Sequence, residues 1–133
     1  MKFVLDTSAY IAFIKNHPQV VELIRFAESI VLPVIVIGEL LYGYHKGSRF
    51  GDNMGKLNQF LRQGRVEIGV IDGAVAEQYG AIKQAQQVAG LSQADNDLWI
   101  AAVAKYQDLP ILTLDTDFKH LPQVQLIPLN SKN

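Results

Sequence analysis

Short apolar runs alternate with helix-like segments along almost the whole chain. Their periodicity predicts strands at 2 to 6, 30 to 32, 66 to 71 and 111 to 114, with 124 to 127 as a further candidate. Helices are predicted at 8 to 15, 19 to 28, 33 to 44, 53 to 63, 73 to 89 and 94 to 106, and glycines at 47 and 51 indicate a loop. This alternation favours an α/β fold with a mainly parallel sheet that helices cover on both faces.

Composition limits what such a chain can be. With 133 residues, 49% of them hydrophobic, it is long enough to form one domain over residues 1 to 133, ending in a polar tail at 130 to 133. No apolar run reaches the length of about 18 residues that spans a membrane, and the first residues lack the pattern of a signal peptide. The absence of cysteine leaves oxygen and imidazole as metal ligands and is typical of a cytoplasmic protein.

Four carboxylates lie inside or beside apolar segments, where an isolated charge is costly. Asp6 directly follows the first strand, Glu39 interrupts an apolar stretch, Asp97 begins the most apolar helix, and Asp115 follows the strand at 111 to 114. Parallel strands end at a common rim, so Asp6 and Asp115 should meet if their strands are neighbours. Four acids there would build an oxygen-only site for Mg²⁺ or Mn²⁺, which suits phosphodiester cleavage.

Each acid also has a purely structural interpretation. Asp6 could cap the helix that follows it, and either Asp95 or Asp97 could cap the helix at 94 to 106. Asp115 and Asp117 flank a position that suits a plain turn. Glu39 could be the exposed edge of its helix. The sequence alone leaves these alternatives open.

Basic residues are concentrated between Glu39 and the strand at 66 to 71, although the formal net charge of the chain is -1. They could form the wall of a groove for nucleic acid, or they could be ordinary solvated charges. Lys46 and Arg49 are the nearest of them to Glu39 along the chain and are the candidates for phosphate contact. The stretch comprises Lys46, Arg49, Lys56, Arg62 and Arg65.

Four segments together resemble a known family, the PIN-domain ribonucleases of the VapC toxin type. They are FVLDTSAYIAFI at 3 to 14, GELLYGYHKGS at 38 to 48, NDLWIAAVA at 96 to 104 and ILTLDTDF at 111 to 118. The resemblance implies a PIN-like three-layer α/β/α fold with a mainly parallel central sheet. It also implies a metal-dependent endoribonuclease.

Carried over residue by residue, the resemblance implies that Asp6, Glu39 and Asp97 are the first three catalytic acids. Asp115 is the favoured fourth acid and Asp117 the second choice, because the last segment is one residue tighter than one common form of the family motif. Mg²⁺ or Mn²⁺ would be held by Asp6, Asp97 and Asp115, with Glu39 as a ligand or as the base that positions water.

Further polar residues are second choices for the site. Thr7 matches a polar position near the metal in similar proteins, Asn96 could orient the neighbouring carboxylate, and Asp95 competes with Asp97. Lys46 and Arg49 then become candidates for binding RNA, in a single strand or a loop.

The resemblance also implies partners. VapC-like toxins are neutralised by a small antitoxin, and an acidic pocket would attract a basic side chain from it. A homodimer is expected as well, with Phe13 and Ile14 on the first helices as exposed apolar contacts.

Other classes of protein would need residues that this chain lacks. A haloacid-dehalogenase-like phosphatase would need a second aspartate where Ser8 stands, and a receiver domain would need an acidic pair at the first strand. Ribonuclease chemistry based on histidine would need two positioned imidazoles, and His17, His45 and His120 show no such pattern. The remaining alternative is a catalytically degenerate PIN fold that binds RNA or protein, although all four acid positions are filled.

Overall fold

Strands and helices alternate in the computed structural model, which describes residues 1–130; the last three residues of the predicted polar tail lie outside this range. Short strands and longer helices connect to one another through brief loops. In chain order the elements are β1 (Lys2–Leu5), α1 (Thr7–Ile14), α2 (Pro18–Arg25), β2 (Ser29–Pro33), α3 (Val34–Lys46), α4 (Phe50–Leu61), β3 (Val66–Gly69), α5 (Gly73–Val88), α6 (Asp95–Gln107), β4 (Ile111–Leu112) and a 3₁₀ helix (Thr116–His120). The predicted α/β fold is confirmed.

The four strands form one sheet in the order β3-β2-β1-β4, and every pairing is parallel. Val4 is in register with Val31 of β2 on one side and with Ile111 of β4 on the other. Because β1 and β4 are neighbours, the residues that follow them reach the same rim of the sheet. The condition for Asp6 and Asp115 to meet is therefore satisfied.

Helices cover both faces of the sheet. Residues 3 to 5 of β1 and 30 to 33 of β2 are all buried. Because successive side chains of a strand point to opposite faces of the sheet, neither face is open to water there. The predicted burial of the last helix is confirmed, since Leu98 and residues 100 to 104 of α6 are all buried. This is the three-layer α/β/α arrangement with a parallel centre.

Glycine is required at the end of β3. A Cβ atom on Gly69 would lie 2.8 Å from Cγ1 of Val31 and 3.0 Å from Cγ1 of Val103. Only a residue without a side chain allows this close approach of β3 to its neighbours. Among residues 1–130, no helix is both long and apolar enough to cross a membrane.

Several predicted boundaries are wrong. Pro33 is the last residue of β2 rather than part of the first turn of α3, and Gly51 lies in the first turn of α4 rather than in a loop. The candidate strand at 124 to 127 makes only a single bridge, between Leu126 and Ile111.

Phe13 and Ile14 are not the exposed apolar contacts that the sequence predicted. Both are partly buried and pack against the core. The Phe13 ring lies 5.6 Å from that of Phe60 and 6.4 Å from that of Tyr10, measured between centroids. These residues are used inside the protein, because α1 lies over hydrophobic residues of α4.

Candidate metal centre

Asp6 is held as a carboxylate acceptor at the end of β1. It occupies the N-cap position of α1, yet its side chain caps nothing. Instead its Oδ2 atom accepts hydrogen bonds from Ser8 Oγ at 2.8 Å and from Thr113 Oγ1 at 2.6 Å. The residue is only 4% exposed, and this burial raises the pKa of Asp6. The capping interpretation of Asp6 is therefore wrong.

The two hydroxyl groups that hold Asp6 also fix the segment after β4. Ser8 Oγ accepts the backbone N–H of Leu114 at 3.0 Å, and Thr113 Oγ1 accepts that of Asp115 at 2.9 Å. Each hydroxyl thus donates to the Asp6 carboxylate and accepts from the neighbouring segment. Through this network the first and last acidic segments of the chain have a defined relative position.

Three carboxylates form the tightest acidic cluster. One oxygen from each of Asp97, Asp115 and Asp117 lies within 4.8 Å of the others. Asp97 comes from the first turn of α6, and the other two come from the start of the 3₁₀ helix. Asp115 has a structural role as well, since its Oδ1 accepts the backbone N–H of Asp117 at 2.9 Å.

Electrostatics show how close the other acids are to this cluster. The pKa of Asp97 is raised to about 6, first by burial and then by the negative charges of Asp115, Asp6, Glu39 and Asp117, in that order. The other three acids implied by the sequence, together with Asp117, therefore all act on Asp97. Like charges gathered at one place favour binding of a cation.

Glu39 reaches the site from α3 and is held by two other elements. Its Oε1 accepts a hydrogen bond from Thr7 Oγ1 at 2.6 Å, and its Oε2 accepts one from Asn96 Nδ2 at 3.3 Å. Both second-choice polar residues thus contact Glu39, and Asn96 orients this carboxylate rather than that of its neighbour Asp97.

Asp95 points away from the cluster. Its Oδ1 accepts hydrogen bonds from Tyr79 Oη at 2.9 Å and from Lys83 Nζ at 3.1 Å, and these two bonds lower the pKa of Asp95. The N-cap of α6 is Ala94, so neither Asp95 nor Asp97 caps this helix.

The donor set fits a hard divalent cation. The clustered groups of Asp97, Asp115 and Asp117 offer only carboxylate oxygens, which Mg²⁺ and Mn²⁺ prefer. Asp6 is outside this mutually close trio, although its charge acts on Asp97.

Comparison with known proteins identifies the fold family. The family model of the PIN domain matches residues 3–124 of this chain. The chain belongs to the PIN-domain family. Ribonuclease VapC2 of Rickettsia felis is 30% identical over 131 residues, which are 95% of this chain and 96% of that protein. Ribonuclease VapC4 of Mycobacterium tuberculosis is 32% identical over 96 residues, which are 72% of this chain and 74% of that protein.

A solved structure is similar over the same length. The crystal structure of VapBC2 from Rickettsia felis bound to a promoter DNA fragment matches this PIN domain with a TM-score of 0.82 and 30% identity. The match covers 96% of this chain and 98% of that one. The predicted family and fold are confirmed.

Two members of the basic stretch of this PIN domain make local contacts within the chain. Arg65 donates from its guanidinium to the backbone oxygens of Ile24, Arg25 and Ala27, so it holds the end of α2. Arg49 forms an ion pair with Asp52 at 3.0 Å.

Lys46 is placed differently. Its ammonium lies 4.5 Å from the centre of the exposed Tyr42 ring, a cation–π geometry that leaves its charge at the protein surface.

A buried glutamine of α5 supports the 3₁₀ helix that carries Asp117, and the sequence analysis did not predict this role. Gln86 is 3% exposed, and its Nε2 donates to Gln93 Oε1 at 2.6 Å and to the His120 backbone oxygen at 3.0 Å. Gln93 Nε2 in turn donates to the backbone oxygen of Asp117 at 2.7 Å. The available signal was the position of Gln86, one helical turn after Ile82 on the apolar face of its helix.

We expect Gln86→Leu to weaken divalent metal binding by up to about tenfold, the lower end of the effect of losing a group that orients ligands, because Gln86 acts on Asp117 only through Gln93. It should also cost about 0.5–1.5 kcal/mol of stability, the net contribution of an ordinary hydrogen bond, because the partly buried Gln93 and the exposed His120 lose a donor. Isothermal titration with Mn²⁺ and urea unfolding measure the two effects. Gln84→Leu, at an exposed position of the same helix, is the control and should change neither.

The raised pKa of Asp97 makes stability depend on pH when no metal is bound. The folded protein binds this proton more tightly than the unfolded chain does, so the stability that Asp97 contributes is fully present below its ordinary pKa of 3.8 and is lost as pH rises through about 6. Asp97→Asn should remove this loss and leave the metal-free protein more stable at pH 7 than the wild type. Urea unfolding between pH 4 and pH 7.5 tests this, and parallel pH profiles of the two proteins would contradict it.

Proposed function

We propose that this PIN domain is a metal-dependent endoribonuclease that hydrolyses RNA phosphodiesters, and that it is the toxin of a toxin–antitoxin pair. The observation that carries the proposal is the gathering of five carboxylates, Asp97 among them, from four parts of the chain. Such a concentration of negative charge destabilises the protein alone and is useful only if a cation offsets it. Both curated relatives described above carry the name ribonuclease.

The ion would be held by Asp97 and Asp115, with Asp117 as the third close carboxylate and Asp6 as the buried acid beside them. When bound, a divalent ion supplies activation of water and stabilisation of the charge that develops on the leaving oxygen. The specific metal is Mg²⁺ or Mn²⁺ in this proposal, because every clustered donor is an oxygen.

Residues of the chain hold the carboxylates in position and accept the proton of the attacking water. Glu39 is fixed by Thr7 and Asn96, so it can accept a proton from a water molecule beside the cluster. That water would add to phosphorus as the P–O bond to the leaving nucleotide breaks. The leaving oxygen would take up a proton from bulk water, to which Glu39 returns the one it accepted. Ser8 and Thr113 keep the Asp6 carboxylate in place during these steps.

The proposed partner is a small antitoxin that places a basic side chain against the acids. This is supported by the similarity to a VapBC2 complex. A location in the cytoplasm, where RNA and such a partner are available, is part of the proposal. That residues 1 to 133 form one domain and that the chain forms a homodimer stay predictions. The degenerate binding module is the weaker alternative, because none of the acids is lost.

The test uses a circular single-stranded RNA, which has no ends for an exonuclease. Purified protein with Mn²⁺ should linearise it and then shorten it into fragments, and chelation by EDTA should stop the reaction. A folded protein that leaves both circular and linear RNA intact across a range of Mg²⁺ and Mn²⁺ concentrations would contradict the proposal.

A further inference from the structure

A cleft opens directly beside the acidic cluster, at the end of β4. Its volume is about 500 Å³, within the range of pockets that bind small molecules. Thr113 and Asp115 form the wall that it shares with the acids. The opposite wall comes from the start of α2 and from the segment around Pro128, which the bridge between Leu126 and Ile111 holds against β4.

The lining of this cleft combines apolar surface with one lysine ammonium and one imidazole. Leu114 is 40% exposed although it lies between Thr113 and Asp115. It faces the cleft, which Ile127 and Pro128 also line. Lys119 and His17 line the same space. Among residues 1–130, no carboxylate lies within ion-pair distance of the Lys119 ammonium.

His17 contributes a hydrogen-bond donor. Its Nδ1 atom accepts the backbone N–H of Val20 at 3.4 Å, so the neutral ring carries its hydrogen on Nε2. A base edge or a ribose hydroxyl is a suitable acceptor for such a group. The cleft therefore offers a cation for phosphate, apolar surface for a base, and a polar contact.

We propose that this cleft binds the nucleotide next to the scissile phosphate of a single-stranded RNA. The inference rests on the proposed function and deepens it. A strand whose backbone crosses the acids must continue on one side or the other, and the cleft begins at Asp115. Lys119 contacts the phosphate of that nucleotide, and Leu114 with Pro128 contacts its base, as apolar surfaces do for unstacked bases.

Binding is measured with a fluorescent single-stranded RNA in the Asp97→Asn background over a series of salt concentrations. Adding Lys119→Gln should weaken binding about twofold to fivefold, the effect of one exposed charge contact. It should also lower the slope of log K against log salt by about 0.7, the value for one phosphate contact on a single strand. A merely structural lysine would leave that slope unchanged.

Lys105→Gln is the matched control, because Lys105 is also exposed and lies eight residues from Asp97 along α6, about 12 Å. It should change neither affinity nor slope. In a second measurement, nucleoside 5′-monophosphates titrated without metal should shift the backbone amide resonances of Leu114 and Ile127.

The outcomes separate this inference from the proposed function. Cleavage of RNA by the wild type together with an unchanged affinity and salt slope in Lys119→Gln would overturn the cleft assignment alone. Nucleotide-dependent shifts at Leu114 and Ile127 without any cleavage would support the cleft and contradict the nuclease. Shifts caused by a partner protein but by no nucleotide would make the cleft a protein-binding site and refute the inference.

Discussion

Asp97→Asn should reduce metal-dependent cleavage of RNA by about a hundredfold to a thousandfold, the scale of losing one group that stabilises developing charge. Asp97 is the carboxylate on which the charges of Asp115, Asp6, Glu39 and Asp117 all act. Asparagine keeps the shape of the side chain but removes a charged ligand. Initial rates on labelled RNA in saturating Mn²⁺ measure the effect.

The matched control lies two residues earlier. Asp95→Asn removes an acid of the same kind from the same turn of α6, but that acid is paired with Tyr79 and Lys83 and lies outside the cluster. We expect its cleavage rate to stay within about twofold of the wild type, as is usual for an exposed ion pair. Equal losses in both variants would show that the charge of the whole helix end, rather than a metal site, matters.

Mn²⁺ should stabilise the folded protein strongly. A ligand present at 100 times its dissociation constant adds about 2.7 kcal/mol, which for a domain of this size raises the melting temperature by roughly 10 °C. The physical reason is that the ion offsets the repulsion among carboxylates that raises the pKa of Asp97. Thermal melts over a Mn²⁺ titration at pH 7.5 measure the shift.

Two comparisons make this stabilisation specific. Asp97→Asn should lose most of the rise in melting temperature, while Asp95→Asn should keep it. Lowering the pH below 6 should also diminish it, because a proton then competes with the ion for Asp97. An equal rise in all three proteins would mean that Mn²⁺ binds elsewhere, and the absence of any rise at millimolar Mn²⁺ would favour the degenerate binding module.

Local sequence patterns determined the element types and much of the order of this fold. Hydrophobic periodicity and the residues that end a helix or strand are properties of short stretches of sequence. The strands β1 and β2 and the buried helix α6 could therefore be predicted. Boundaries were less certain, as Gly51 inside α4 shows, because glycine at a helix start costs little. The sequence could not show that Leu126 makes a single bridge rather than belonging to a full strand, because the length of a strand depends on the residues of the neighbouring strand.

The sequence by itself supplied the kinds of acids and their positions after strands. Asp6 and Asp97 could be singled out because a carboxylate beside an apolar run needs a reason to be there. The tertiary structure decided which acids share a place. It brings Asp115 and Asp117 together with Asp97, and turns Asp95 toward Lys83. Residues two positions apart on a helix point about 200° away from each other, so Asp95 and Asp97 face different surroundings.

Thr7 and Asn96, which hold Glu39, were candidates from the sequence, but only the folded chain revealed the other groups that support the acids. Thr113 bonds to Asp6 across 107 positions of sequence, and Gln86 reaches His120 across 34. No periodicity extends over such separations. These contacts exist because β4 pairs beside β1 and α5 packs on α6, and it is packing of distant elements that determines which polar groups meet.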